Sequence, residues 1–332
     1  MIRVFFDHQY KFLGNNIRTF YEILISELKK DNEFFIIESE DIKESKKILL
    51  QEKFDIFHPT GMDNYFIKSI SDKKQLIVFI PDMIDEILHD KVVEEFTDMI
   101  YKIVDNKSKQ IFLSNKIIFP SKTTEDYFWV LYKRYKYLLP DQKIHKIDFC
   151  GNNLEEGEEI HGKYILYSDD RLYPIPYKKF LETVSNLSDW LKENNDIKLV
   201  ITGYDLSEKE RDLIKTLGLT NLIFYKEKTK KLYEGALVTI FPSIIDGFNV
   251  SVFEAILNNS LCLFNSKNPY FNEIIKDNDV LVYDEEVLED LLDEIKNLDE
   301  FDRSKLIENQ KNMIPKTDFV AQYKRILKES LE

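Results

Sequence analysis

The sequence predicts an α/β protein made of two doubly wound parallel-sheet domains that face one cleft. Three observations predict it. Short apolar runs alternate with longer amphipathic ones across all 332 residues. The apolar runs lack an apolar–polar alternation, so each strand expects burial on both faces, as in a parallel sheet covered by helices. The alternation breaks once, at the turn-prone, acidic residues 149–157, where one sheet ends and another begins. A chain this long supports two cores of ordinary size.

The elements follow in order. Residues 2–6 read as the first strand, and 34–37, 56–58, 76–80 and 117–119 as those after it. Helical spacing of apolar residues fills 17–29 and 123–137. In the second half the strands are 164–168, 197–202, 222–225, 237–241, 261–264 and 280–282. Helices lie between them over 177–193, 208–217 and 252–258. The Asp/Glu-rich residues 284–299 read as the solvated face of a further helix, and 318–331 as the last one. The domains expected are therefore 1–152 and 153–315, with 316–332 as a C-terminal helix.

Composition narrows the function. No run of about 18 apolar residues exists, so no membrane-spanning helix is expected. The chain opens on a strand and shows no signal-peptide pattern. Cys150 and Cys262 stand far apart, outside any metal-ligand spacing. They read as small buried hydrophobes in a reduced, cytoplasmic protein. A net charge of −14 argues against nucleic acid as a partner. Residues 101–150 run against that trend, with ten Lys or Arg and five Asp or Glu. Within them, 127–137 are rich in aromatics and cations. This segment has two readings: a helix with one core face and a solvated basic face, or a peripheral contact with anionic lipid at the inner membrane face.

The most informative stretch is residues 236–257. An apolar strand runs into a loop containing Gly247, and the loop into a helix over 252–257. Asp246 in the loop and Glu254, expected in the first turn of the helix, stand eight positions apart. A helix start offers unpaired N–H groups and partial positive charge, which suit a phosphate. Carboxylates on either side then accept hydroxyls, which describes a site for a sugar nucleotide. The plainer readings are a turn-forming Asp before Gly and a carboxylate that favours a helix start.

Residues 241–255 resemble the motif of family 4 retaining glycosyltransferases: an acid, Gly-Phe, then a Glu followed by Ala. Here they are Asp246, Gly247, Phe248, Glu254 and Ala255, with Asp where the family usually has Glu. The resemblance extends along nearly the whole chain. Residues 6–9 with Gly14, Asn15, Asn16, Ile17 and Arg18 look like the family's first strand, glycine loop and first helix. Residues 56–60, 77–84 and 117–121 resemble three later strand ends, and 164–167 and 198–203 the opening of the second half. The resemblance implies the GT-B fold, with an acceptor-binding Rossmann-like domain, a nucleotide-sugar-binding one, and a last helix crossing back onto the first.

It also implies roles. Glu254 would hold the ribose hydroxyls and Asp246 the donor sugar, at a reach one methylene shorter than the family's. Gly247 would let the backbone approach, Phe248, Asn249 and Val250 would offer N–H groups, and Ser243 a hydroxyl. A departing diphosphate needs cations; Arg171 falls where the family has Arg, and Lys178, beside Lys179, is chosen for the family's Lys. Tyr225 and Lys226 would flank the nucleobase or serve only as a strand end. On the acceptor side stand Gly14, Asn15, Asn16, Arg18, His58 and Pro81. Asp82, with Asp246, is a candidate catalytic carboxylate. Pro81 stands where the family usually has a His that touches the donor sugar, and Pro donates no hydrogen bond. His8, His89, His145 and His161 show no partner pattern.

No Asp-X-Asp pair stands where a sugar-nucleotide metal would be held, so transfer is expected without metal or other cofactor. The resemblance implies retention of configuration, and with no evident nucleophile, front-face departure assisted by the diphosphate. The partners expected are a nucleotide sugar and a glycan, lipid-linked or other hydroxyl acceptor. Two alternatives stand beside this: a sugar-nucleotide epimerase of the same fold, and a catalytically silent pseudo-transferase that binds a partner. Pro81, Asp246 and the uncertain place of the Lys motivate the second.

Overall fold

The computed structural model of the protein describes residues 1–12, 15–51, 53–61, 74–81, 105, 107–133, 143–149, 151, 154–168, 179–203, 206–225, 228–275 and 281–332. The side chains of Asn15, Asn16 and Tyr225 lie outside that description. The chain divides into two compact units: Met1–Phe149 with Thr317–Glu332, and Cys150–Lys316.

The first unit is built on β1 (Ile2–Phe6), β2 (Phe34–Glu38), β3 (Ile56–His58), β4 (Gln75–Phe79), β5 (Lys116–Phe119) and β6 (Ile144–Lys146). They pair in parallel in the order β2-β1-β3-β4-β5-β6. The five strands expected are all present. β6 was not expected, because a three-residue edge strand with one apolar residue carries no period to read. Around the sheet lie α1 (Asn15–Lys29), α2 (Ile42–Gln51) and α3 (Lys122–Tyr132). α1 begins two residues earlier than expected. α3 starts at Ser121, whose hydroxyl accepts from the Thr124 N–H at 3.0 Å, an N-cap.

Neighbouring strand residues point to opposite faces, and each face has its own core. Phe5, Phe57, Val78 and Phe119 pack with Phe128 and Tyr132 of α3. Phe6, His58 and Phe79 pack on the other side with Phe20 and Tyr21 of α1. The same aromatic cluster receives Phe319 and Tyr323 from the last helix, Phe319–Glu329. That helix is capped by Asp318, which accepts from the Val320 and Ala321 N–H groups. It is also tied by Lys324 to Asp31 at 2.8 Å, by Lys328 to Glu33, and by Gln322 to the Asp148 N–H at 3.1 Å.

The second unit is built on β7 (Tyr164–Tyr167), β8 (Lys198–Thr202), β9 (Leu222–Tyr225), β10 (Val238–Phe241), β11 (Cys262–Asn265) and β12 (Val282–Tyr283). All pair in parallel, in the order β12-β11-β10-β7-β8-β9. Counted within the unit this is 3-2-1-4-5-6, the dinucleotide-binding order. Its helices are α4 (Phe180–Glu193), α5 (Glu208–Leu217), α6 (Lys230–Glu234), α7 (Val250–Leu257), α8 (Pro269–Ile275), α9 (Leu288–Lys296) and α10 (Glu300–Lys311); the last helix of the chain is thus α11. Ile165 and Tyr167 face a core with α4 and α9, while Tyr164 and Leu166 face one with α7 and α8. Cys262 is buried in the latter. Among the described residues, no helix is long and apolar enough to cross a membrane.

Candidate functional site

In the second unit, the order in which strands are added reverses between the parallel neighbours β7 and β10. At such a switch point the loops after the two strands part and leave a crevice beyond their carboxyl ends. The loop after β10 runs from Pro242 to Asn249 and leads into α7. Residues 169–178, which follow β7 in the chain, lie outside the described residues, and Arg171 and Lys178 with them, as do Gly14, Asp82 and Lys226.

The β10–α7 loop is a buried polar structure. Asp246 is 3% exposed. Its Oδ2 accepts from the side-chain amides of Asn268 at 2.9 Å and Asn249 at 3.2 Å. The Ser243 hydroxyl donates to the Ile245 carbonyl at 2.8 Å, so this group holds the loop's own shape. Asn268 Nδ2 also donates to the Ser243 carbonyl at 2.9 Å, and Asn265 Nδ2 to that of Pro242 at 3.1 Å. Gly247, Phe248 and Asn249 are buried in the same loop.

Two expectations are corrected here. α7 starts at Val250, two residues before the expected 252, with Asn249 as its N-cap in an extended conformation. Val250 is thus the first helical residue, and its N–H belongs to the helix N-terminus. Glu254 is the fifth residue of α7, in the second turn and not the first. It is 7% exposed, and Lys228 Nζ stands 3.7 Å from its Oε2. The same ammonium donates to Ser251 Oγ at 2.6 Å. The sequence reading missed Lys228, Asn265 and Asn268. Lys228 stands two residues past Lys226, just before Thr229, whose hydroxyl caps α6; only its approach to Glu254 singles it out. Asn268 reads in sequence as a turn before Pro269.

Lys179, the neighbour of Lys178, is the N-cap of α4 at φ 57° and pairs with Glu182 at 2.5 Å. A left-handed lysine costs about 1–2 kcal/mol, at the end of the segment expected to meet the diphosphate. Tyr225 is the last residue of β9.

In the first unit the reversal lies between β1 and β3. Asp7, just past β1, is fully buried and accepts from the Thr60 N–H at 3.1 Å, and also from its hydroxyl. Burial raises its carboxyl pKa, and those hydrogen bonds offset part of the rise. A cavity of about 40 Å³ lies there, lined by Ile17, Thr60, Gly61 and Pro81 among others. The Pro81 carbonyl accepts from Thr124 at 3.5 Å. Asn15 and Asn16 are the first two residues of α1, and Arg18 pairs with Glu22 at 3.9 Å. His58 is corrected: it is fully buried in the aromatic core against α11, not presented at a ligand-facing strand end.

Residues 156–313 match the model of the family described as glycosyl transferases group 1. No curated protein sequence matches the chain. Several solved structures align over nearly all of it. A sucrose-phosphate synthase from Thermosynechococcus elongatus aligns with TM-score 0.73 and 11% identity, over 99% of both chains. WaaG, a glycosyltransferase involved in lipopolysaccharide biosynthesis, aligns with TM-score 0.70 and 12% identity, also over 99% of both. Anabaena HepE in complex with UDP and glucose aligns with TM-score 0.70 and 11% identity, over 100% of this chain and 99% of that one. Against larger chains, from a GtfA/B complex and from TarM, this chain spans 60% and 55% of their length. The fold is GT-B.

Proposed function

We propose that this chain, whose residues 156–313 match the glycosyl transferases group 1 model, transfers a sugar from a nucleotide-diphosphate donor to a hydroxyl acceptor with retention of configuration. The observation that carries the reading is the β10–α7 loop at the switch point. There Asp246 is held by two amides and precedes the helix N-terminus, and Glu254 follows it, paired with Lys228. Glu254 accepts the ribose hydroxyls of the donor, and the first N–H groups of α7 meet the diphosphate. Asp246 accepts from a hydroxyl of the sugar. Arg171 and Lys178 neutralise the diphosphate as it leaves, and Tyr225 and Lys226 flank the base. Departure and attack occur on one face of the sugar, so no covalent intermediate with the protein is needed. Asp82 is, with Asp246, a catalytic carboxylate, and Pro81, Arg18, Gly14, Asn15 and Asn16 serve the acceptor, a glycan, lipid-linked or other hydroxyl compound.

Uridine nucleotides are the first donors to try, because HepE was solved with UDP and glucose. Incubation with UDP-sugars should release nucleoside diphosphate, faster with acceptor present and undiminished by a chelator, since the reading carries no metal. Absence of donor binding by calorimetry across the common nucleoside diphosphates would refute it. One observation favours a second reading, a silent partner-binding subunit: Pro81, in place of the family's sugar-contacting His, is buried with its carbonyl turned to Thr124. Glu254→Ala separates the two, since an enzyme loses turnover and a scaffold keeps its partner.

Exposed apolar residues favour a lipid surface near the acceptor-binding unit. On α3, Phe128 and Tyr132 are buried, while Val130 is 73% exposed and Leu131 is also exposed. Leu113 and Phe112 are exposed on the preceding helical segment, and Phe112 meets the ring of Tyr132. A solvated basic face would not carry these four; a peripheral membrane contact would.

A further inference from the structure

The β11–α8 turn reaches across to the β10–α7 loop with two asparagine side chains. Asn265 donates to the Pro242 carbonyl, while its Oδ1 accepts from the Lys267 N–H at 3.0 Å. Asn268 does more. Its Oδ1 accepts from the Tyr270 N–H at 3.0 Å, which caps α8 with Pro269 at the first helical position. That bond fixes which end of the amide is oxygen, so both remaining contacts are donated by Nδ2: one to the Ser243 carbonyl and one to Asp246 Oδ2, each 2.9 Å. Asn268 is fully buried, and its amide is oriented by three partners on two elements. Such a group has a single orientation available, and so does the carboxylate oxygen it holds.

We propose that Asn268 is the positioning residue of the donor-sugar carboxylate: it sets the direction of Asp246 and so the register of the sugar against the acceptor. The inference rests on the reading of this loop as a nucleotide-sugar site. It accounts for how an Asp serves where one more methylene is usual. The short carboxylate is held at a defined place by Asn268 and Asn249, and does not sample the loop. A hydroxyl that donates to a pre-oriented carboxylate meets it with no reorganisation at the reacting stage.

Asn265→Ala is the control, because Asn265 pins the same loop without touching Asp246. The probes are UDP, GDP and ADP with their glucose or mannose conjugates, measured by calorimetry and by nucleoside diphosphate release from the full chain. In the Asn268→Ala variant, nucleoside diphosphate affinity should stay within about twofold. Turnover should fall roughly 10- to 100-fold, the scale of a hydrogen bond lost from a charged group. Asn265→Ala, which loosens the same loop without touching Asp246, should lower turnover by clearly less than Asn268→Ala. In an Asp246→Ala background, Asn268→Ala should add almost nothing, since the two act as one unit. Asn268→Asp, which keeps the acceptor for Tyr270 but loses the donor, should fall at least as far as Asn268→Ala. Equal losses in Asn265→Ala and Asn268→Ala, additive losses with Asp246→Ala, or failure of both Asn268 variants to fold would make Asn268 structural and overturn the inference while the donor site stands. An unaltered protein that binds none of the probes overturns the donor site and the inference together.

Discussion

His58 and Tyr323, 265 positions apart in the chain, share a buried hydrogen bond between imidazole Nε2 and the phenol hydroxyl. The other ring nitrogen, Nδ1, lies 3.2 Å from the Pro59 carbonyl. A carbonyl only accepts, so Nδ1 carries the proton and Nε2 accepts from Tyr323. The imidazole is therefore neutral with both nitrogens satisfied, stacked between Phe6 and Tyr323. Tyr323→Phe leaves Nε2 buried without its donor and should cost about 1–3 kcal/mol. Replacing both partners by Phe should cost less than the single change, as measured by urea unfolding.

The same pair predicts a pH dependence. Burial drives the His58 pKa down to about 3, against a smaller opposing effect of the backbone contact at Pro59. An unfolded histidine titrates near about 6.5. Between those values the unfolded chain binds the proton and the folded one does not. The His58 contribution is then whole at neutral pH and is lost as pH falls through that window, by at most about 1.4 kcal/mol per pH unit. Asp7, with its pKa raised, acts in the other sense and loses stability as pH rises. The difference in unfolding free energy between the protein and His58→Phe, followed from pH 7 to 4, isolates the histidine. A pH-independent difference would refute the assignment.

Glu254 and Lys228 should behave as partners in nucleotide binding. On the proposed reading of the site, Glu254→Ala takes away the acceptor of the two ribose hydroxyls, and it should weaken nucleoside diphosphate binding at least about tenfold. Lys228→Met should weaken it by less, because Glu254 stays in place but loses the ammonium 3.7 Å away. Calorimetry with UDP ranks the two, and the reverse ranking would move the ribose contact off Glu254.

Gly157 sits at φ 72°, and a Cβ built there would collide with the side chain of Thr229, the N-cap of α6. Gly157→Ala therefore combines a left-handed strain with an overlap and should destabilise by about 1–3 kcal/mol. A melting temperature equal to that of the unaltered protein would contradict it.

The exposed apolar residues of α3 carry the membrane prediction. The protein should float with vesicles containing anionic lipid at low salt and release at high salt. Val130→Glu with Leu131→Glu should abolish flotation while leaving nucleotide binding unchanged. If flotation is absent or indifferent to these changes, α3 is an ordinary surface helix.

The sequence by itself determined the strand–helix alternation and the place of the β10–α7 loop, because both are written in neighbouring residues: apolar runs, a Gly-containing turn, an acid on each side. It misjudged where α7 begins: Asn249 stands at the N-cap, but its side chain turns to Asp246 and makes no capping hydrogen bond, so a short window of sequence reads it as loop. The tertiary structure alone decided three matters. His58 lies in a core completed by a helix from the far end of the chain. Lys228 reaches Glu254. Asn268 reaches Asp246 from an adjacent strand turn. Each depends on which strands lie side by side, and strand order arises from how whole faces of apolar surface are buried together, which no short window of sequence contains.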